Sequence, residues 1–431
     1  MDLTVDRLRT TAGAALEPLL RDLERRGALD LERVEPAVRE VLASVRSGGD
    51  AAVRAAVARF ERREVREVLV RDYGGEAALA ELAPEVRGAL QLAAARIRAY
   101  HERQAAAGGG FVHSERGARL EGRVTAVRRA GVYTPGGKAS YPSSVLMSAL
   151  PARVAGVEQV IVATPQATPA VRAACALAGV DALVDAGGAQ AIGALAYGTE
   201  TVPRVDVIVG PGNLYVTAAK RLVFGEVSID GLAGPSEILV VADAEADAGL
   251  VAADLLSQAE HDEAAYPLLL TDSPELVAAV LRELDVQLET LPRRAIAEAA
   301  LRANGHALVV TDRAAAAAVA DRLAAEHVAL HVRDAAELAA RIRRAGAIFV
   351  GAWTPEAAGD YVAGPSHVLP TGGAARFGAP LGVHHFVSRS SVIEYDEALL
   401  RAQGDAIEVF ARAEGLEAHA RAVAARTRRG G

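Results

Sequence analysis

The sequence predicts an α/β protein with two doubly wound parallel sheets set between helical N- and C-terminal segments. Three observations carry that expectation. After about residue 123, short and almost continuously apolar runs alternate with helix-length segments; before about 105 and after about 382 the periodicity is helical; and a turn-rich segment at 230–236 divides the apolar runs. Strands that are apolar throughout, rather than alternately, suit parallel sheets covered by helices on both faces. Alternation of strand and helix then gives doubly wound sheets.

The clearest N-terminal helix places Val86, Leu90, Ala93, Ile97 and Tyr100 on one stripe, at alternating spacings of four and three. Its end is marked by Gly108-Gly109-Gly110. The strands expected beyond it are 157–163, 182–185, 205–209, 238–241, 268–271, 308–311, 328–332 and 348–350. One eight-stranded sheet would hold them all, but the turns at 230–236 favour two smaller units. Apart from the helix-favouring alanine run at 314–318, no repeat or low-complexity tract interrupts this order.

Composition limits the function. A chain of 431 residues, 51% of them hydrophobic, buries more than one core. Its net charge of −8 would repel phosphates, which argues against nucleic acid and anionic membranes as partners. The N-terminus lacks a basic stretch followed by an apolar one, and no run approaches the roughly 18 apolar residues of a membrane span. A cytoplasmic protein is expected. Cys175 is the only cysteine and lies in an apolar helical run, where a buried structural role is expected rather than a catalytic thiol. Only two lysines occur among 47 basic residues, Lys138 and Lys220, both in Gly- and Pro-punctuated segments that look functional, although ordinary solvated lysines would look the same.

Glycine-rich loops follow several strands. The segment from Tyr133 through Lys138 to Pro142 could bring backbone N–H groups to a phosphate, as could Gly187-Gly188-Ala189-Gln190 and Gly210-Pro211-Gly212-Asn213. The last two fall at strand ends, where open α/β sheets bind ligands. Glycine and proline also mark ordinary turns. The dinucleotide fingerprint G-x-G-x-x-G is absent, so nothing local proves a nicotinamide cofactor.

Four polar islands interrupt the alanine-rich background: Gln258 to Asp262, Ala325-Glu326-His327, Gly359 to His367, and Glu414 to His419. Each sets a histidine beside an amide or carboxylate. Gln258 and His261 stand three apart in an expected helix at 251–262, so both project from one face and can reach one ion. Asp360 and His419 could complete four oxygen and nitrogen donors, a set suited to zinc, with manganese as a substitute. Glu326 and His327 offer a carboxylate and an imidazole for general acid–base work. They precede an expected strand, whereas the crevice rule places sites after strands.

The runs GVYTPGGKASYPSSVLMSALPARVAGV, VGPGNLYVTAAKRLVFGEVSIDGLAGPSE, LLSQAEHD, AGAIFVGAWTPEAAGDYVAGPSHVLPTGG and EGLEAHARAV closely resemble histidinol dehydrogenase, in order and spacing, over about residues 120 to 425. The resemblance implies an NAD-dependent, zinc-containing enzyme that oxidises L-histidinol through L-histidinal to L-histidine. It implies Gln258, His261, Asp360 and His419 as zinc ligands and Glu326 and His327 as the acid/base pair. Ser236, Tyr361, His367 and Glu414 would hold substrate with these groups, and Tyr133, Gln190 and Asn213 would contact NAD. It further implies an intertwined homodimer whose C-terminal segment completes the partner's site, so that Glu414 and His419 act in trans.

The division expected on this reading has an N-terminal helical segment at 1–24 and a larger Rossmann-like domain from 25–107 with 234–381. A second, NAD-contacting domain takes 108–233, and a helical, dimer-intertwining segment takes 382–431. Departures from the family pattern are few: Leu232 near an expected methionine, His384-His385 in place of a tyrosine and an acid, and Ser366 where asparagine is common. None removes a proposed ligand or catalytic group. Two other readings are an enzyme of the same family that oxidises another small alcohol, such as a sulfonated diol, and a non-catalytic metal- or NAD-binding relative. Retention of Glu414 argues against the first, and of Glu326 and His327 against the second.

Overall fold

The computed structural model describes residues 8–27, 31–136 and 140–428, so Lys138 lies outside the described residues. In chain order its strands are β1 Arg9–Ala12, β2 Leu69–Val70, β3 Phe111–Glu115, β4 Ala118–Ala126, β5 Arg129–Tyr133, β6 Gln159–Ala163, β7 Ala182–Val184 and β8 Val207–Val209, then β9 Ser228–Ile229, β10 Glu237–Ala242, β11 Tyr266–Thr271, β12 His306–Val309, β13 His327–His331, β14 Ala347–Val350 and β15 Val387–Tyr395. The first sheet has the order β1-β12-β11-β10-β13-β14 and is parallel throughout. The second has the order β2-β7-β6-β5-β8-β9, with only β2 antiparallel. The strands β15-β4-β3 form a separate antiparallel sheet.

All eight expected apolar runs are strands, to within two residues at either end. The reason is visible in β10. Ile238, Val240 and Ala242 enter a core with Val251 and Leu255 of the helix Ala248–Ala259, while Leu239 and Val241 enter the opposite core with Ala320 and Leu323. Successive side chains alternate faces, and both faces are covered, so every position from 238 to 242 is apolar. In β6, Ile161 and Ala163 face one core and Val160 and Val162 the other.

Four expectations need correction. Apart from Arg26 and Gly27, residues 25–107 do not join 234–381: the segment Leu31–Phe60, helical on either side of a kink at Gly49, buries Val34, Val38, Leu42, Val45, Val53 and Val57 in a core with Ile161 and Ile208 of the second sheet, and β2 pairs with β7 of that sheet. The N-terminal segment is not wholly helical, because β1 adds an edge strand to the first sheet beside β12. The segment after 382 contains the nine-residue β15 before its helices Glu397–Ala413 and Glu417–Thr427. In the helix Pro84–Ala107 the buried stripe is Leu90, Ala93, Ala94, Ile97 and His101, whereas Val86 and Tyr100 at its ends are exposed. That helix does stop at Gly108, as expected.

Candidate active site

Two adjacent strands of the first sheet supply the catalytic candidates. β10 and β13 pair with Ile238 opposite His327, which gathers Glu237, Glu326 and His327 at the amino ends of both strands. The two glutamates exchange bonds: the Glu237 N–H donates to Glu326 Oε2 at 2.8 Å, and the Glu326 N–H donates to Glu237 Oε2 at 3.3 Å. Glu237 is fully buried, and Arg26 closes a buried ion pair on its carboxylate at 2.7 Å. The Gly372 N–H donates to its other oxygen at 2.5 Å. Burying such a charge is tolerable only because it is paired and hydrogen-bonded. A glycine is required beside this group: a Cβ on Gly346 would lie 2.5 Å from the Glu326 carbonyl oxygen.

His327 is oriented by backbone. Its Nδ1 donates to the Glu237 carbonyl at 2.9 Å, and its ring stacks on Phe349 with centroids 5.9 Å apart. A carbonyl only accepts, so the neutral ring carries its proton on Nδ1 and a lone pair on Nε2. Nε2 is buried without a hydrogen-bond partner, 4.0 Å from Asp360 Oδ1. Burial pushes the His327 imidazolium down to about 4, so the ring is neutral near pH 7 and suited to accept a proton. Burial, then the Glu237 charge, pushes the Glu326 carboxyl well above the usual range.

The helix Ala248–Ala259 begins with an Asp247 cap and runs back along the sheet face, as parallel topology demands, so it ends near the strands' amino ends. Gln258 is its penultimate residue and His261 follows the turn. One orientation of the Gln258 amide suits its surroundings better than the other. Nε2 then donates to Glu356 Oε1 at 2.7 Å and to the Glu237 carbonyl at 3.3 Å, while Oε1 accepts from His261 Nδ1 at 3.2 Å. The short helix Glu356–Tyr361 puts Glu356 and Asp360 one turn apart, on one face. His367 Nδ1 donates to the Asp360 carbonyl at 3.0 Å and lies 3.9 Å from its Oδ1. His367 Nε2 lies 3.4 Å from Ser144 Oγ, on a helix of the second sheet.

These donors fit a divalent cation. His327, Glu356 and Asp360 offer ligand atoms all within 4.8 Å of one another, and His327 Nε2 is unpartnered. Burial, then Asp360 and Glu326, drives the Glu356 carboxyl well above its ordinary range. Ser236 lies in sequence beside Glu237, and its carbonyl accepts from Tyr266 N–H at 2.9 Å. Tyr361 is more than half exposed beside the site.

Glu414 and His419 are not brought here. Both are exposed on the C-terminal helices, which pack against each other, and among the described residues no hydrogen bond or ion pair joins them to the cluster. Sequence reasoning missed Glu356, Glu237 and Arg26. Glu356 stood four residues before Asp360, a spacing that could have exposed it; Arg26 carried no local signal, being 211 residues from its partner.

The expected dinucleotide contacts lie at carboxyl ends of the second sheet. The Tyr133 hydroxyl accepts from Gly188 N–H at 3.1 Å, Gln190 Nε2 donates to Glu61 at 3.1 Å, and Asn213 caps the helix Leu214–Val223. These residues therefore lie where the crevice rule expects a ligand in an open parallel sheet, whereas the catalytic candidates lie at the amino edge of the first. Lys220 is no solvated lysine: it is buried, paired with Asp230, and donates to the Gly210 carbonyl at 2.9 Å. Gly210 itself, with φ +109°, sits where a Cβ would lie 2.1 Å from the Tyr133 carbonyl oxygen. Cys175 is buried as expected, its thiol pushed up to about 12 by burial.

Comparison with known proteins places this geometry in context. The family model described as histidinol dehydrogenase matches residues 24–427. The chain is 52% identical to the histidinol dehydrogenase of Cereibacter sphaeroides, over 92% of this chain and 93% of that protein. It is 45% identical to that of Bacillus subtilis, over 98% and 99%. The crystal structure of histidinol dehydrogenase from Elizabethkingia anophelis superposes with a TM-score of 0.92 at 33% identity, over 98% of each chain.

Proposed function

The chain belongs to the histidinol dehydrogenase family, and on that premise we propose that it is a zinc-containing, NAD-dependent enzyme carrying L-histidinol through L-histidinal to L-histidine. Oxidation of histidinol in histidine biosynthesis follows from the family. The observation that most supports the mechanism is the buried, unpartnered Nε2 of His327, fixed as the basic nitrogen by the Glu237 carbonyl. Zinc, held by Gln258, His261, Asp360 and His419, would anchor and orient the imidazole and amine of the substrate. NAD, beside Tyr133, Gln190 and Asn213, would accept hydride in each oxidation.

His327 Nε2 takes the hydroxyl proton as hydride departs, leaving an aldehyde. Glu326 then assists addition of water, and the hydrate loses a second hydride and proton to give the carboxylate. Ser236, Tyr361, His367 and Glu414 retain the substrate between the two oxidations. No thiol is needed, in keeping with the buried Cys175.

Glu414 and His419 reach the site of a second copy. The β3-β4-β15 sheet and the two C-terminal helices leave Phe111, Val112, Ile393, Val409 and Phe410 exposed, apolar area that an intertwined homodimer would cover. No helix among the described residues is long and apolar enough to cross a membrane. A cytoplasmic enzyme without nucleic-acid partners fits the acidic charge. The test is NADH formed per L-histidinol by zinc-loaded protein. Two NADH and one histidine are expected, with Glu326→Gln failing mainly at the second oxidation; absence of NADH in protein that binds zinc and NAD would reject the assignment.

A further inference from the structure

Glu356 has no role in the mechanism above, yet it is 2% exposed, and among the described residues no arginine or lysine pairs with it. A carboxyl group buried without a cation is costly unless its environment is built around it. Its short contact is with the Gln258 amide nitrogen, at 2.7 Å. Its 3.7 Å approach to His327 Nδ1 is too long for a hydrogen bond, and that nitrogen already donates to the Glu237 carbonyl.

An amide can ligate a cation only through oxygen, and its two ends are nearly identical in shape. What decides the orientation of Gln258 is therefore the character of its neighbours. With Nε2 inward it meets two acceptors, Glu356 Oε1 and the Glu237 carbonyl, beside His327 Nδ1 at 3.2 Å, and Oε1 turns to His261. Reversed, it would press its oxygen against the Glu237 carbonyl, which only accepts, and against Glu356 in its ionised form. The Glu237 carbonyl, at 3.3 Å and already shared with His327, is the weaker partner.

We propose that Glu356 is a positioning residue for the metal site: by accepting the Gln258 amide nitrogen it presents the amide oxygen on the side of His261. The inference rests on the reading of Gln258 as a zinc ligand. Outer partners that orient ligands in this way govern metal affinity by about 10–100-fold when removed.

The experiment is zinc affinity of the full-length protein, measured by competition with a chromophoric chelator, with folding followed by circular dichroism and thermal melting. Glu356→Leu is expected to weaken zinc binding about 10–100-fold, whereas Glu356→Gln, which keeps an acceptor oxygen, loses far less. A folded Glu356→Leu protein with wild-type affinity would overturn the inference. So would equal losses in both variants, which would make Glu356 a ligand or a charge rather than an orienting acceptor.

Should Glu356→Leu not fold, a second pair decides. Gln258→Glu has no nitrogen to orient and sets two carboxyl groups in contact, so adding Glu356→Gln should raise its zinc affinity; a fall would reject the proposal. Wild-type protein that takes up no zinc would instead overturn the metal reading beneath it.

Discussion

At the residue scale the site rests on backbone groups that sequence does not display. The basic nitrogen of His327 is selected by the Glu237 carbonyl, and Glu237 is held by Arg26 from the far end of the chain. Islands of histidine beside carboxylate were legible because such groups stand out among alanines; their supports were not, because contact across two hundred residues leaves no periodic trace. Replacing His327 with Asn should lower kcat by roughly 10²–10⁴, the usual worth of a positioned acid–base group. Zinc content, by atomic absorption, should stay at one per chain, since His327 acts on the proton and is not among the four expected ligands. Loss of the metal in that variant would assign His327 a ligand's role, as its closeness to Glu356 and Asp360 would allow.

At the element scale, strands buried on both faces were legible and those at margins were not. β10 and β13 are apolar through their interiors, at 238–242 and 328–330, whereas β3 is exposed at every position and β15 at most, so neither of the latter shows the one-sided alternation of a half-buried strand. β1 and β2 are short edge strands whose pairing is decided by the sheet they join. The edge at β1 carries a pH-dependent load. Arg9 Nη2 donates to His306 Nε2 at 3.2 Å, and burial, followed by the Arg9 charge, pushes the His306 imidazolium down to about 4. The unfolded chain takes up this proton near pH 6.5 and the folded chain resists it, so protonation favours unfolding. Stability present above about pH 6.5 is therefore lost as pH falls towards about 4. Urea midpoints measured across that window should fall less steeply for His306→Asn.

At the scale of the whole molecule, the site gathers parts that no segment holds together. The first sheet gives its amino edge, the second would give its carboxyl ends to the proposed cofactor, and Ser144 meets His367 between them. The N-terminal third proved unreadable in one respect: which sheet the helix Leu31–Phe60 covers depends on shape, not on local pattern. Shared sites make a prediction of their own. If Glu414 acts in trans, mixing inactive His327→Asn and Glu414→Gln chains should restore activity, because a mixed dimer contains one site with both native residues. Random exchange makes about half the dimers mixed, each with one intact site of two, so about a quarter of wild-type activity should return. No recovery after verified exchange would place Glu414 in its own chain's site.

The burial of Lys220 has a practical consequence. With that side chain locked between Asp230 and the Gly210 carbonyl, and Lys138 the only other lysine in the sequence, acylating reagents would find few amines in the native protein. A label carried by Lys138 would sit in sequence between Tyr133 and Tyr141, and would mark that glycine-rich segment without any residue having to be introduced.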